Sequence, residues 1–98
     1  MGELFQQIRN LVNAGDYLVG QHAAERLKER RIMEWLVVEG MKDGTLLAER
    51  PRALPNPAVE VEEILPDGTE CKAVWSYLRE SKVAKLVTVH FFDEEFSG

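Results

Sequence analysis

Ninety-eight residues are enough for about one small domain and leave no room for a second core. Apolar residues make up 45 % of the chain and charged residues 30 %, which excludes a disordered tail, a collagen-like chain and a disulfide scaffold. The net charge of −5 argues against a partner held mainly by phosphate neutralisation, so any anion site must be local.

The deficit of bases lies in the second half. Residues 1–44 carry six bases and seven acids, while residues 45–98 carry six bases and ten acids. The one dense basic stretch is residues 26–31, with four bases in six positions. Asp93, Glu94 and Glu95 read as a solvated acidic end. No apolar run approaches the roughly 18–20 residues that a membrane helix needs, and no apolar leader segment opens the chain. The single cysteine, Cys71, has no internal disulfide partner, which fits a reducing cytosol.

In chain order, Leu4, Phe5, Ile8, Leu11 and Val12 form one face of an amphipathic helix over about residues 3–14, closed by Gly15. Tyr17, Leu18 and Val19 form a short apolar extension, a strand of two or three residues. Good helix formers place a second helix over 22–30. A third covers about 33–42, anchored by Trp35, Leu36, Val38 and Met41 and ended by Gly44.

The rhythm then becomes β. Residues 45–50 form a strand, and Pro51, Pro55 and Pro57 confine 51–57 to an edge or loop. Residues 58–65 alternate, with Val59 and Val61 opposite Glu60 and Glu62; Glu63 and Ile64 break the phase, which predicts a bulge. Pro66, Asp67, Gly68 and Thr69 make a hairpin turn. Residues 70–79 and 83–92 are apolar on both faces, as central strands are. The last strand alternates Val83, Lys85, Val87, Val89 and Phe91 with Ala84, Leu86, Thr88, His90 and Phe92. The predicted class is α+β, with the N-terminal helices packed on one face of a three- to four-stranded antiparallel sheet.

The stretch from His22 to Ile32 is the most informative. At about 100° per residue, His22, Arg26 and Arg30 form one column along the helix, with Glu25 and Glu29 in a parallel column. Either Glu29 neutralises Arg26 on an ordinary solvated face, or the column receives an anion such as a phosphate. His22 sits where it could cap the helix. His90 lies on a central strand and approaches His22 if the helix packs beside that end. Metal ligation is not expected, since two distant histidines and one cysteine match no ligand spacing. Cys71 reads as a small buried apolar residue, and Trp35 and Trp75 as core anchors, with stacking on the open sheet face as the alternative for Trp75 or Tyr77.

The pattern His22-Ala23-x-x-Arg26-Leu27-x-x-Arg30-x-Ile32, followed by a helix ending in glycine and closing on Lys-Leu-Val-Thr-Val-His at residues 85–90, resembles domain-of-unknown-function family 4258. The likeness runs from about Tyr17 to Phe92, so that residues 1–16 read as a helix added before a family-like core at 17–92 within one domain, 1–98. Arg31 stands where family members carry glycine, and Met33 where they carry serine or threonine. The turn after Arg30 is therefore expected to differ, and the third helix to lack a cap. The family is distantly similar to RelE/ParE-like and BrnT-like toxin ribonucleases.

That likeness implies metal-independent RNA cleavage, in which a base takes the ribose 2′-hydroxyl proton, cations hold the phosphate and an acid protonates the leaving oxygen. His22 would then be base or acid and His90 its partner acid or base, Arg26 and Arg30 the phosphate clamp, and Tyr77 and Lys85 accessory groups. The rival expectation, which the acidic charge favours, is a cytosolic protein-interaction module without catalysis, whose partner is a second copy or another protein. RNA is the disfavoured partner. No cofactor, metal or membrane is expected, and binding of a small carboxylate at the arginine column is a third class.

Overall fold

The computed structural model describes residues 2–92. Its elements are α1 (Glu3–Asn13), β1 (Tyr17–Val19), α2 (Gln21–Glu29), α3 (Glu34–Gly40), β2 (Thr45–Arg50), β3 (Ala58–Ile64), β4 (Glu70–Leu78) and β5 (Val83–Phe91). The acidic end at 93–95 lies outside the described residues.

The strands form one five-stranded sheet in the order β1-β5-β4-β3-β2. Pairings β2–β3, β3–β4 and β4–β5 are antiparallel, but β1 runs parallel to β5. The sheet is thus mixed and one strand larger than the antiparallel sheet of three or four strands expected from the sequence. Tyr17–Val19 is long enough to pair yet too short to show a period. α1 crosses β2 to β5, α2 lies along β5 and α3 on β3, all on one face of the sheet. The core lies between these layers. It includes Ile8 and Val12 from α1, Ala23 and Leu27 from α2, Val37 from α3, and Val59, Val61, Ala73, Trp75, Leu86 and Val89 from the sheet.

Two features of phase depart from the sequence pattern. β3 keeps an unbroken register through Glu63 and Ile64, so no bulge forms there; Glu63 is fully buried on the helix side and Ile64 is exposed. The register shifts instead opposite Val74/Trp75, at Val87 of β5, and at Leu47 of β2. The extra residue at Val87 turns Ala84, Leu86, Val89 and Phe91 all toward the helices. His90 is thereby on the opposite, open face.

The helix ends are tied by tertiary contacts. Gly2 offers α1 no side-chain cap, and the carboxylate of Glu49 on β2 accepts from the Phe5 N–H at 2.9 Å instead. Arg9 of α1 donates to the carbonyls of Met41 and Gly44, at 3.2 and 2.6 Å, and so closes the end of α3. Gly44 does not adopt the left-handed conformation. Its role is proximity, because a Cβ there would lie 2.5 Å from Cγ1 of Val61.

α2 ends in a left-handed turn. The Ile32 N–H bonds the Leu27 carbonyl at 2.9 Å, the Arg31 N–H bonds that of Lys28 at 3.1 Å, and Arg31 has φ of 56°. This is the turn that glycine would make, so replacing glycine by arginine leaves the geometry in place and adds backbone strain. Arg31→Gly is expected to raise stability by about 1 kcal/mol. Urea unfolding of the two proteins checks it, and an unchanged or lower midpoint would sink the reading. α3 starts at Met33 without a side-chain cap, as the sequence implies.

Candidate functional site

α2 is held on the sheet by Arg26 and Arg30, the two arginines of its basic column. Arg26 donates from Nε to the carbonyl of Val89 at 3.2 Å, and its Nη1 lies 3.8 Å from the Glu29 carboxylate. Its guanidinium sits 5.8 Å from the ring centre of Phe91, and that of Arg30 lies 4.4 Å above the same ring. Two cations that repel each other at i,i+4 are thus drawn to one aromatic ring, whose π-system favours positive charge. The Arg26 side chain is only 22 % exposed. Both arginines are engaged in packing the end of β5.

The other candidates are spread out. His22 is exposed in the first turn of α2. Lys85 belongs to the open face, but its chain turns toward that same turn: Cε lies 2.9 Å and Nζ 3.8 Å from where a Cβ on Gly20 would sit. His90 stands on the open face beside Lys72 in register. Lys72 reaches Glu60 at 3.4 Å, and Glu60 holds Arg50 at 2.7 Å, so this part of the face is an ion-pair network. Tyr77 is on the helix side near the start of β5, packed against the core, with its N–H on the Pro57 carbonyl. The structure therefore groups Arg26 with Arg30 and brings Lys85 to the end of α2 that carries His22. It leaves His22 and His90 on opposite sides of the sheet and Tyr77 apart from both. Among the described residues, no three His, Cys, Asp or Glu side chains converge as a metal site would require.

Two features were not read from the sequence. The first is Glu63. Its carboxyl is buried under α3, where Trp75 Nε1 donates to Oε2 at 3.3 Å and Oε1 has no hydrogen-bond partner among the described residues. A Cβ on Gly40 would fall 2.7 Å from that oxygen, so the glycine lets α3 rest directly on the acid. Burial pushes the carboxyl up to about 8, against which the Trp75 bond acts weakly, so that it is protonated at neutral pH. Burial, then the charges of Glu63 and Asp67, push the Cys71 thiol up to about 12, which makes it inert. The phase break at Glu63 was the available signal.

The second feature is a groove of about 510 Å³ lined by Tyr17, Ala24, Leu27, Lys28, Ile32, Met33, Glu34 and Trp35. Met33 is 64 % and Trp35 53 % exposed. Trp35 is thus no core anchor, whereas Trp75 is fully buried and packs edge-on against Tyr17, with ring centres 6.3 Å apart. α3 carries two apolar stripes, one through Trp35 and Val38 and one through Val37 and Met41. The second is buried because Gly40 lies on it and permits close approach to Glu63.

The class is an α+β domain with three helices over one face of a mixed five-stranded sheet, with the exposed Trp35 at the mouth of a groove between α2 and α3. A family profile described as Domain of unknown function (DUF4258) matches residues 19–91, and the chain belongs to that family. The match takes in everything from β1 to β5 apart from the first strand residues, and α1 precedes it. No curated protein and no solved structure gives a match. No helix among the described residues is long and apolar enough to cross a membrane.

Proposed function

We propose that this domain is a non-catalytic protein-interaction module that works in the cytosol and binds a polypeptide in the groove between α2 and α3. The observation that carries the reading is the pair Met33 and Trp35, large apolar side chains left more than half exposed beside an apolar floor. Such a cluster costs solubility and serves as an anchor when covered, tryptophan above all. The acidic net charge and the engagement of Arg26 and Arg30 with Phe91 support it over phosphate binding. The test replaces Trp35 by a photoreactive benzophenone amino acid in cells. A discrete polypeptide adduct that Met33→Asp abolishes is expected, and absence of any discrete adduct would overturn the reading.

A second reading, a metal-independent RelE-like ribonuclease or toxin, draws on the approach of Lys85 to the turn that carries His22. There an ammonium, an imidazole and the free N–H groups of a helix start suit a phosphate. Its test is cleavage of labelled RNA with and without chelator. Activity that resists chelator and is lost in both His22→Ala and Lys85→Ala would establish it; equal cleavage by all three proteins would remove it.

A further inference from the structure

We propose that the occupant of the groove is a second copy of this chain, docked by antiparallel pairing of β1 with the partner's β1 about a two-fold axis at Leu18. The inference rests on the protein-binding reading and names the partner.

The register of β1 carries the argument. Ala84 donates to the Asp16 carbonyl at 3.0 Å, and Gly20 donates to the Leu86 carbonyl at 2.9 Å. In a parallel ladder alternate residues of a strand face the neighbour. Asp16, Leu18 and Gly20 thus spend their backbone groups on β5, while the N–H and C=O of Tyr17 and Val19 point to the outer edge. Of the backbone hydrogen bonds outside helices and strands, none among the described residues uses those of Tyr17 or Val19.

This edge is self-complementary. With the axis at Leu18, Tyr17 faces the partner's Val19, and Val19 faces the partner's Tyr17. Each pair exchanges both backbone bonds, and the two sheets become one. Leu18, 52 % exposed on the open face, meets the partner's Leu18 in the close, non-bonded position. On the helix side, Tyr17 is part of the groove wall, so the pairing brings two grooves with Met33 and Trp35 together. Lys28 and Glu34 line the same groove, so each copy presents one cation and one carboxylate, the combination an isologous contact can satisfy.

The two edges of the sheet differ in protection. β2 has a bulge at Leu47, ends in Glu49 and Arg50 and is followed by Pro51, all of which discourage edge pairing. β1 reads Tyr-Leu-Val, with no charge, proline or bulge. The exposed parts of Leu18, Met33 and Trp35 amount to roughly 400 Å² per copy, about half of what each partner buries in a standard interface. The dimer is accordingly expected in the micromolar range.

Sedimentation equilibrium of the full chain, from about 1 µM to about 0.5 mM, reads the association directly. Leu18→Glu and Leu18→Lys are each expected to weaken it at least tenfold, and their mixture to restore it, because residue 18 meets its own copy at the axis. Leu47→Lys on the opposite edge leaves it unchanged. Amide exchange at Tyr17 and Val19 slows with concentration, while that at Leu18 does not. Circular dichroism confirms that the variants are folded. A chain that stays monomeric to about 0.5 mM overturns the proposal, as does a dimer broken by Leu47→Lys and not by Leu18→Glu. A monomer whose Trp35 adduct contains another polypeptide overturns self-docking and keeps the protein-binding reading. A monomer with no adduct removes both.

Discussion

Stability of the wild-type chain is expected to fall as pH rises from 5 to 8, and Glu63→Gln is expected to remove that fall. Burial pushes the Glu63 carboxyl up to about 8 in the folded protein, from an ordinary value of 4.5. Below 4.5 both folded and unfolded chains hold the proton and the full contribution is present. Between the two values the unfolded chain loses the proton while the folded chain keeps it. The folded state then binds more protons, so stability declines with pH, by up to about 1.4 kcal/mol per unit. Above about 8 both states are ionised and the decline stops. Glu60 and Asp67 act in the opposite direction and outside this window. Arg50 chiefly, with Lys72, holds the Glu60 carboxyl down, as Thr69 holds that of Asp67, so their contributions are lost as pH falls below 4.5 for Glu60 and below 3.8 for Asp67.

Glutamine keeps the shape and an oxygen for Trp75 but does not ionise. The variant is expected to exceed wild type at pH 8 by about 3–5 kcal/mol, a large share of the 5–15 kcal/mol that a small domain has. Urea unfolding of both proteins at half-unit steps from pH 5 to 8.5 measures it. Parallel curves would show that the carboxyl finds solvent or a counter-charge in the fold.

Phe91→Ala is expected to lower stability by about 3–5 kcal/mol, and Phe91→Leu by less. The ring is 1 % exposed and closes the core at the end of β5. It also carries the guanidinium of Arg30 at 4.4 Å and that of Arg26 at 5.8 Å. Leucine preserves most of the burial and removes the aromatic face. The cycle of Phe91→Leu with Arg30→Ala therefore isolates the stacking, expected at about 0.5–2 kcal/mol. A coupling near zero would return Arg30 to the role of an ordinary surface charge and reopen the helix column as an anion site.

The contrast between α1 and α3 shows where the sequence is sufficient. α1 has one apolar face and a left-handed glycine, Gly15, directly after its C-cap Ala14, so its limits, its buried side and its closing turn all follow from local chemistry. α3 and its C-cap Met41 carry two apolar stripes in eight residues, and nothing local chooses between them. β3 and β5 behave alike. In β3 a carboxylate in phase with valines reads as a break in the pattern, whereas the fold buries it protonated. In β5 valine stands at positions of both faces, so the bulge at Val87 leaves no trace in the pattern, yet it decides that His90 points away from His22. The clustering of His22, Arg26 and Arg30 on one helix side was legible. That Arg26 and Arg30 would converge on Phe91 was not, because the ring comes from a strand more than sixty positions away.

By itself the sequence determined the helices, the strands, the hairpin turn, the buried cysteine and the family, since each depends on local propensity, period or a short motif. Only the tertiary structure decided that β1 joins the sheet in parallel, that Trp35 is outside and Glu63 inside, and that the arginines pack on an aromatic ring. Those outcomes depend on which surfaces can approach most closely. Gly40 and Gly44 set that approach through contacts with Glu63 and Val61, residues distant in the chain, which no local pattern encodes.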